Sequence, residues 1–353
     1  MMEIQNCSFI QTPAPARFQA GLRRLKQRFT VYAATSPQPL PAPGLLITPE
    51  IRLQSELYLP IAEIRRLFYR LYQQVLPYPP VFSSTPFHAC PSWADCFAGL
   101  PSWLQFSANP ALLLEHLLHA PDLLTRFVFY SFLPGRFNGA GFGRYPRQLE
   151  WLQQHLKQQV GKPLRLLDAA CGSGEGTWEL AELLAGNGWQ PEQVQLEGWT
   201  LEPLEVWVAQ TRSLPHEPER GKSYQQRVQP LLELGWGERI SFRAVDLLAE
   251  QLESTSFDLI LCNGLLGGPI INQPSQLQQM LSQLSGLLTP EGVLLVADRF
   301  HAGWKKQVPT ELLVSVLQDA GLKSGSAGEG LAAKIAGPPR TSIKFGLAGL
   351  YSR

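Results

Sequence analysis

Charged residues are scarce in this chain of 353 residues. They make up 17% of it, and 30 basic side chains nearly balance 29 acidic ones. The resulting net charge of +1 provides no electrostatic footprint for a nucleic acid or for an anionic membrane surface. No apolar run reaches the roughly 18 residues that a membrane-spanning helix needs. We therefore expect neither a nucleic acid nor a membrane among the partners.

Cysteine is also rare, and its five copies are odd in number and scattered. This distribution does not indicate a disulfide framework and favours a reducing compartment. Residues 1–17 lack the charged and then apolar segments of a secretory signal peptide, so we expect a cytoplasmic protein. The cluster of His88, Cys90, Asp95 and Cys96 fits no zinc spacing and lacks a second ligand pair, so we predict no metal site.

The most informative stretch that is present covers residues 164–185, LRLLDAACGSGEGTWELAELLA. An apolar run ends in Asp168, small residues and glycines follow, and apolar residues then return at helical spacing. This order predicts a buried strand, a tight turn and a helix. Because glycines let backbone approach a ligand and a helix start offers free N–H groups, the turn suits a nucleotide-like cofactor.

Two classes of cofactor compete for this turn. A dinucleotide fingerprint requires a third glycine where Thr177 stands and an acid about 20 residues further on. The acid before the glycines, Asp168, resembles the first motif of class I S-adenosylmethionine-dependent methyltransferases, whose usual form is acid-x-Gly-x-Gly-x-Gly. Gly172 and Gly174 match that motif, whereas Ala170 replaces its first glycine. A nicotinamide or flavin enzyme and a turn without a ligand stay open as alternatives.

The segment before the turn resembles one methyltransferase family, the chemotaxis receptor glutamate methyltransferases. That family has two aromatic residues and an arginine, a proline two residues later, and an apolar helix. The matching residues here are Phe142, Arg144, Pro146, Leu149 and Leu152, and within the turn Cys171, Gly174, Glu175, Leu180 and Ala181. The resemblance covers about residues 141–297.

This chain also departs from that family. Gly143 replaces the second aromatic residue, and Cys262, Asn263 and Gly264 stand where the family has Cys-Arg-Asn. The small β-subdomain that docks the receptor is not visible, because residues 215–224 look like a polar loop. The resemblance therefore implies the cofactor, S-adenosyl-L-methionine, and the general architecture, but not the receptor substrate.

The predicted fold is α/β, a Rossmann-like seven-stranded methyltransferase sheet with helices on both faces. Residues 141–353 would form it, with strands at 164–167, 194–200, 240–245, 257–262, 293–297, 322–327 and 342–350, the last antiparallel by resemblance. Residues 1–140 would form a mainly helical, proline-rich cap that shapes the acceptor pocket, with helices at 21–29, 61–76, 110–119 and 121–132. We interpret the basic helix at 21–29 as a solvated face, with a phosphate or RNA contact as the alternative.

The resemblance assigns roles around the carboxyl ends of the strands, where parallel sheets bind ligands. Arg144 would hold the methionine carboxylate, Asp168 and the backbone near Cys171 would meet the amino group, and Asp246 with Leu247 would hold the adenine. The usual position of the ribose-binding acid holds Thr200; Glu202 is the nearest acid, with Glu205 next, although Glu202 could simply favour the dipole of the next helix. The predicted cofactor site comprises Arg144, Asp168, Ala170, Cys171, Gly172, Gly174, Glu175, Thr200, Glu202, Asp246, Leu247 and Asn263.

Three residues are predicted to act in catalysis. Asn263 ends the fourth strand and would face the transferred methyl group together with Tyr145, while His301 is either a general base or a surface histidine. We predict methyl transfer from S-adenosyl-L-methionine to a small-molecule or protein acceptor, with a carboxylate favoured by the resemblance. A non-catalytic cofactor-binding module and a nicotinamide-dependent oxidoreductase are the alternatives.

Overall fold

The computed structural model describes residues 16–81, 85–133, 141–157, 159–249 and 256–336. The chain divides into two compact units, one of residues 1–139 with 212–225 and one of residues 140–211 with 226–353. Within the described ranges, no helix combines the length and the apolar character needed to cross a membrane.

The first unit is helical. Its helices are α1 (Ala16–Thr35), α2 (Pro49–Tyr58), α3 (Ile61–Val75), α4 (Pro86–Ala89), α5 (Trp93–Gly99), α6 (Pro110–His119) and α7 (Pro121–Phe132). Apolar residues at helical spacing bury one face of α3, and the prolines from Pro77 onward end it. The helices predicted at 61–76, 110–119 and 121–132 are confirmed.

The short basic helix predicted at residues 21–29 is wrong in extent. Helix α1 has 20 residues, and Phe18, Leu22, Leu25 and Tyr32 line its buried face. The prolines that precede α1 made the helical spacing of these apolar residues hard to recognise in the sequence. At the border of the buried face, Lys26 lies 3.2 Å from Glu115 on α6.

An aromatic core holds the first unit together. The rings of Phe68 and Phe87 stack with centroids 4.1 Å apart, and the rings of Tyr72 and Phe127 stack at 5.8 Å. The buried hydroxyl of Tyr72 donates a hydrogen bond to Ser131 Oγ at 2.7 Å, which satisfies it away from water.

The second unit contains the sheet. Its helices are α8 (Pro146–Leu156), α9 (Glu175–Gly186), α10 (Pro203–Thr211), α11 (Pro218–Glu233, which crosses the division between the units), α12 (Pro274–Gly286), α13 (Ala302–Gln307) and α14 (Thr310–Asp319). Its strands are β1 (Leu164–Asp168), β2 (Val194–Thr200), β3 (Ile240–Ala244), β4 (Phe257–Asn263), β5 (Leu288–Ala297), β6 (Leu322–Ala327) and β7 (Gly330–Ile335). The sheet order is β3-β2-β1-β4-β5-β7-β6.

Strands β1 to β6 run in the same direction, and β7, between β5 and the edge strand β6, runs antiparallel to both neighbours. Alternate strand residues such as Leu167, Ile260 and Leu294 share a buried cluster with α12 and α14. The residues between them, such as Leu166 and Leu261, are buried as well, because α9 and α10 contact β2 on the sheet. The predicted α/β sheet with helices on both faces is confirmed.

Several local predictions need correction. Residues 215–224 were expected to be a loop, but α11 begins at Pro218, and His216 Nε2 lies 2.9 Å from the carbonyl oxygen of Leu133 within the first unit. The strand predicted at 293–297 begins earlier, because β5 starts at Leu288. The final antiparallel strand is Gly330–Ile335, whereas the predicted strand at 342–350 lies outside the described residues.

The corrected α1 can be tested by replacing Leu22, which is 2% exposed, with alanine. We expect the Leu22→Ala variant to lose about 3 kcal/mol of unfolding free energy in urea titrations, because deleting a buried leucine side chain leaves a cavity. Val31→Ala on the same helix, where the side chain is 52% exposed, should change it by less than about 0.5 kcal/mol. Equal losses in the two variants would contradict the assigned buried face.

Candidate cofactor site

Asp168 ends β1 at the point in the sheet where the strand order reverses. Its side chain is 6% exposed and accepts a hydrogen bond from Thr177 Oγ1 on α9 at 2.8 Å. Burial raises the pKa of this carboxyl to about 6, against the opposing effects of Thr177 and the Ala170 backbone. The crevice at such a reversal is where open parallel sheets bind ligands.

The glycine turn after Asp168 is anchored to both neighbouring strands. The Ala169 N–H bonds to Leu261 on β4 at 2.7 Å, and the Cys171 N–H bonds to Trp199 on β2 at 2.9 Å. Gly172 and Gly174 have φ values of +53° and +89°, which favour glycine. The predicted turn between strand and helix is therefore present and is held at the carboxyl edge of the sheet.

Acidic side chains surround this turn. Glu175, 2% exposed at the start of α9, accepts a hydrogen bond from Ser173 Oγ at 2.6 Å. Burial raises the pKa of the Cys171 thiol well above its usual value, and the nearby carboxylates of Asp168, Glu205 and Glu175 add to this effect. The thiol therefore stays neutral in a locally negative environment.

The start of α10, next to the end of β2, holds a further acid, the half-buried Glu205. Thr200 Oγ1 donates a hydrogen bond to Glu205 Oε2. Burial, together with repulsion from Glu202 and Glu175, raises the pKa of Glu205 to about 7, against the opposing effect of the Thr200 hydrogen bond. Glu202 Oε1 instead accepts a hydrogen bond from the Leu204 N–H at 3.2 Å and so caps the start of α10.

In the sequence analysis, Glu202 was preferred over Glu205 as the ribose-binding acid because Glu202 lies nearer to the end of β2. In the structure, one turn of α10 places Glu205 against Thr200. The acid that contacts the end of β2 is therefore the one more distant in sequence. The sequence raised a helix at this point only as the alternative role of Glu202, and Pro203 at its start was the signal that favoured it.

Two predicted adenine-binding residues follow β3. Asp246 is exposed, and its Oδ1 accepts a hydrogen bond from the Leu248 N–H at 2.8 Å. Leu247 is 6% exposed and packs in the cluster beneath the sheet. The Val245 N–H bonds to Thr200 at 2.8 Å, which aligns this segment with the end of β2.

The end of β4 meets the start of α8. The carboxamides of Asn263 and Gln148 form a reciprocal pair, with Asn263 Nδ2 donating at 2.7 Å and Gln148 Nε2 donating at 3.2 Å. A Cβ placed on Gly264 would lie 3.3 Å from Tyr145 Oη and 3.5 Å from an Arg144 guanidinium nitrogen. The structure thus brings Arg144, Tyr145 and Asn263 together; Gln148 is a member of this group that sequence reasoning missed.

The Tyr145 hydroxyl is buried without a hydrogen-bond partner among the described residues. Burial raises its pKa, an effect that the Arg144 charge opposes. The hydroxyl is therefore protonated at neutral pH and is a donor for a ligand group. A buried polar atom without a hydrogen-bond partner destabilises the folded protein. This indicates that a bound group accepts the hydrogen bond of the Tyr145 hydroxyl.

His301 stands apart from that group in its contacts. It is exposed, and its Nδ1 accepts a hydrogen bond from the Gly303 N–H at 3.1 Å as the N-cap of α13. This contact satisfies a backbone donor at the helix start, so the capping role accounts for the histidine without catalysis. Its assignment as a general base stays a prediction.

No family model matches the chain. A TehB-like S-adenosylmethionine-dependent methyltransferase from Corynebacterium glutamicum is 17% identical, with 61% of this chain and 96% of that chain covered and a TM-score of 0.35. The N-methyltransferase NodS from Bradyrhizobium japonicum, solved with S-adenosylhomocysteine, is 18% identical, with 60% and 95% covered and a TM-score of 0.38.

One curated relative matches this chain at a higher sequence identity than these two structures do. The probable biofilm formation methyltransferase WspC from Pseudomonas putida is 29% identical over 170 residues, which cover 44% of this chain. The methyltransferase resemblance is confirmed. The match spans 39% of the length of that relative, so the comparison concerns part of each protein.

The buried Asp168 carboxyl gives the stability of the free protein a defined pH dependence. Its pKa is raised from 3.8 to about 6 in the fold, so its contribution to stability is fully present below pH 3.8 and is lost as the pH rises through 6. We expect Asp168→Asn to gain up to about 3 kcal/mol over the parent protein between pH 4 and pH 8.

Melting temperatures at the two pH values measure this gain. Asp319→Asn, at an exposed position at the end of α14, is the matched control and should not change with pH relative to the parent. A constant difference between Asp168→Asn and the parent at pH 4 and pH 8 would contradict the burial argument.

Proposed function

We propose that this protein is a methyltransferase that binds S-adenosyl-L-methionine at the carboxyl ends of β1, β2 and β4. The observation that carries this proposal is the set of acids around the glycine turn, the buried Asp168 and Glu175 and the half-buried Glu205. A dinucleotide would bring a diphosphate, which these acids repel. S-adenosyl-L-methionine brings an ammonium and a sulfonium cation, which they attract.

The residues present fit this cofactor. Asp168 offers a carboxylate for the amino group, and Glu205 with Thr200 offers acceptors for the ribose hydroxyls, with Glu202 beside them. Arg144 offers a bidentate fork for the carboxylate, and the segment of Asp246 and Leu247 is available for the adenine. Gly198 allows close packing beside the turn, since a Cβ there would lie 2.5 Å from the Phe242 ring and 3.1 Å from Cys171 Sγ.

The bound cofactor supplies a methyl group that is already activated, so the protein contributes positioning and the exclusion of water. Tyr145 offers a buried hydroxyl as a donor for a ligand group, and Asn263 is held in place by Gln148. Neither side chain is a base at neutral pH, and His301 is engaged in capping α13. An acceptor that needs no proton removed, above all a carboxylate, suits this arrangement best.

The acceptor is a small organic molecule or a protein side chain in this proposal. The densest basic run, Arg23 to Arg28, supports this view because two of its charges are neutralised: Lys26 pairs with Glu115, and Arg28 lies 3.6 Å from Glu63. Nucleic-acid affinity depends on clusters of cations that remain available for phosphates.

We expect S-adenosylhomocysteine to raise the melting temperature by about 5 °C or more at a concentration a hundred times its Kd, since a ligand of the folded state stabilises it by mass action. The same concentration of NAD should leave the melting temperature unchanged. Thermal shift measurements and calorimetric titration provide the readouts. A shift with NAD alone would support the oxidoreductase, and binding without methyl transfer to any acceptor class would support the non-catalytic module.

Gly172→Val should abolish binding of S-adenosylhomocysteine, because valine resists the positive φ of +53° and fills the space beside the turn. The matched control is Gly161→Val, which places the same residue at a φ of +92° with nothing within 4 Å of its Cβ. Binding that survives in Gly172→Val would show that the glycine turn is not the cofactor site.

Binding to total RNA and duplex DNA at two salt concentrations tests the class of acceptor. We expect weak binding, with Kd values of about 1 μM or above at physiological salt, because few available cations face solvent in the basic run. Tight binding that weakens steeply with salt would overturn the assignment to a small-molecule or protein acceptor.

A further inference from the structure

The first turn of α8 leaves two backbone donors that its own helix does not satisfy. Pro146, at the first position, has no N–H, and the Leu149 N–H bonds to the carbonyl oxygen of Tyr145 at 3.1 Å. The N–H groups of Arg147 and Gln148 lie between them. Tyr145 is the N-cap residue, and its side chain makes no capping hydrogen bond.

A side chain from the turn between β6 and β7 caps both donors. Glu329 Oε1 accepts from the Arg147 N–H at 3.1 Å, and Oε2 accepts from the Gln148 N–H at 2.8 Å. Gly328 makes this approach possible, since a Cβ there would lie 2.3 Å from the backbone nitrogen of Gln148. The turn between β6 and β7 therefore lies directly against the start of α8.

The carboxylate of Glu329 is suited to this position. Partial burial opposes its ionisation, but the hydrogen bonds from Arg147 and Gln148 outweigh that effect and hold its pKa below the usual value. It is therefore negatively charged at neutral pH and faces the positive end of the α8 dipole.

The start of α8 carries the groups that meet the end of β4. Gln148, whose N–H is capped, pairs through its side chain with Asn263. Arg144 and Tyr145, which lead into the helix, lie over Gly264. A shift of the first turn of α8 would thus move the Arg144 guanidinium relative to the sheet edge.

We propose that Glu329 is a positioning residue that, through the start of α8, holds Arg144 where the carboxylate of the cofactor binds. This inference rests on the proposed function, because the cofactor defines what Arg144 must reach. A bidentate guanidinium contact depends strongly on orientation, so a cap that sets the start of the helix controls it.

The test begins with Glu329→Gln, which preserves the shape of the side chain, removes its charge and leaves one oxygen to accept. We expect the affinity for S-adenosylhomocysteine, measured by calorimetry, to fall about tenfold. Glu291→Gln is the matched control: it removes the same charge from an exposed position near the amino end of β5, whereas the site lies at the carboxyl ends of the strands. The affinity of Glu291→Gln for S-adenosylhomocysteine should stay within about twofold of the parent value.

A double-mutant cycle separates positioning from general stabilisation. In the Arg144→Ala background the group that Glu329 positions is missing, so adding Glu329→Gln should change the affinity by less than about twofold. The same tenfold loss in both backgrounds would overturn the positioning role. Amide exchange at Arg147 and Gln148 in the free protein should be faster in Glu329→Gln, and unchanged exchange would overturn the cap itself.

The outcomes for the two proposals differ. If the parent protein bound no S-adenosylhomocysteine, the proposed function would fall, and the positioning role for the cofactor with it. If the parent protein bound it and Glu329→Gln bound it equally well, the positioning role alone would be overturned.

Discussion

The burial of the Asp168 carboxyl at the end of β1 is the constraint on which the second unit depends. Hydrogen bonds from the glycine turn to Leu261 and Trp199 fasten the turn to both neighbouring strands, and Thr177 contacts the carboxyl from α9. Burial opposes the ionisation of this carboxyl and raises its pKa to about 6, yet the fold retains it. Such a cost is expected where a carboxylate is held ready for a cationic ligand.

The charges of the site are divided between two sides of the sheet edge. Acids surround the turn at the ends of β1 and β2, whereas Arg144 lies over Gly264 at the end of β4. An amino-acid moiety carries an ammonium group and a carboxylate, and this division complements both. The positions of the charges therefore say more about the ligand than the presence of glycines does, because glycine turns accommodate many nucleotides.

The start of α8 links distant parts of the chain. Gln148 contacts β4 through its side chain, and its backbone contacts Glu329. These contacts make the position of Arg144 depend on a turn formed near the end of the described chain. Different contacts therefore hold the two sides of the site in place. Backbone hydrogen bonds of the glycine turn hold the acidic side, and side-chain contacts with α8 hold the basic side.

Local patterns in the sequence were sufficient to predict the six parallel strands, the order of Asp168, glycine turn and helix, and the helices at 110–119 and 121–132. Buried strands and amphipathic helices reveal themselves through the spacing of neighbouring residues. The strand at Gly330–Ile335 was missed because its residues are mostly small and only weakly apolar, and its place between β5 and β6 is set by pairing. Only the tertiary structure brought Glu205 back to Thr200, paired Gln148 with Asn263, and placed Glu329 on the backbone of Arg147, 182 residues away in sequence. Contacts of this kind depend on how elements pack in space, which the period of a single element does not encode.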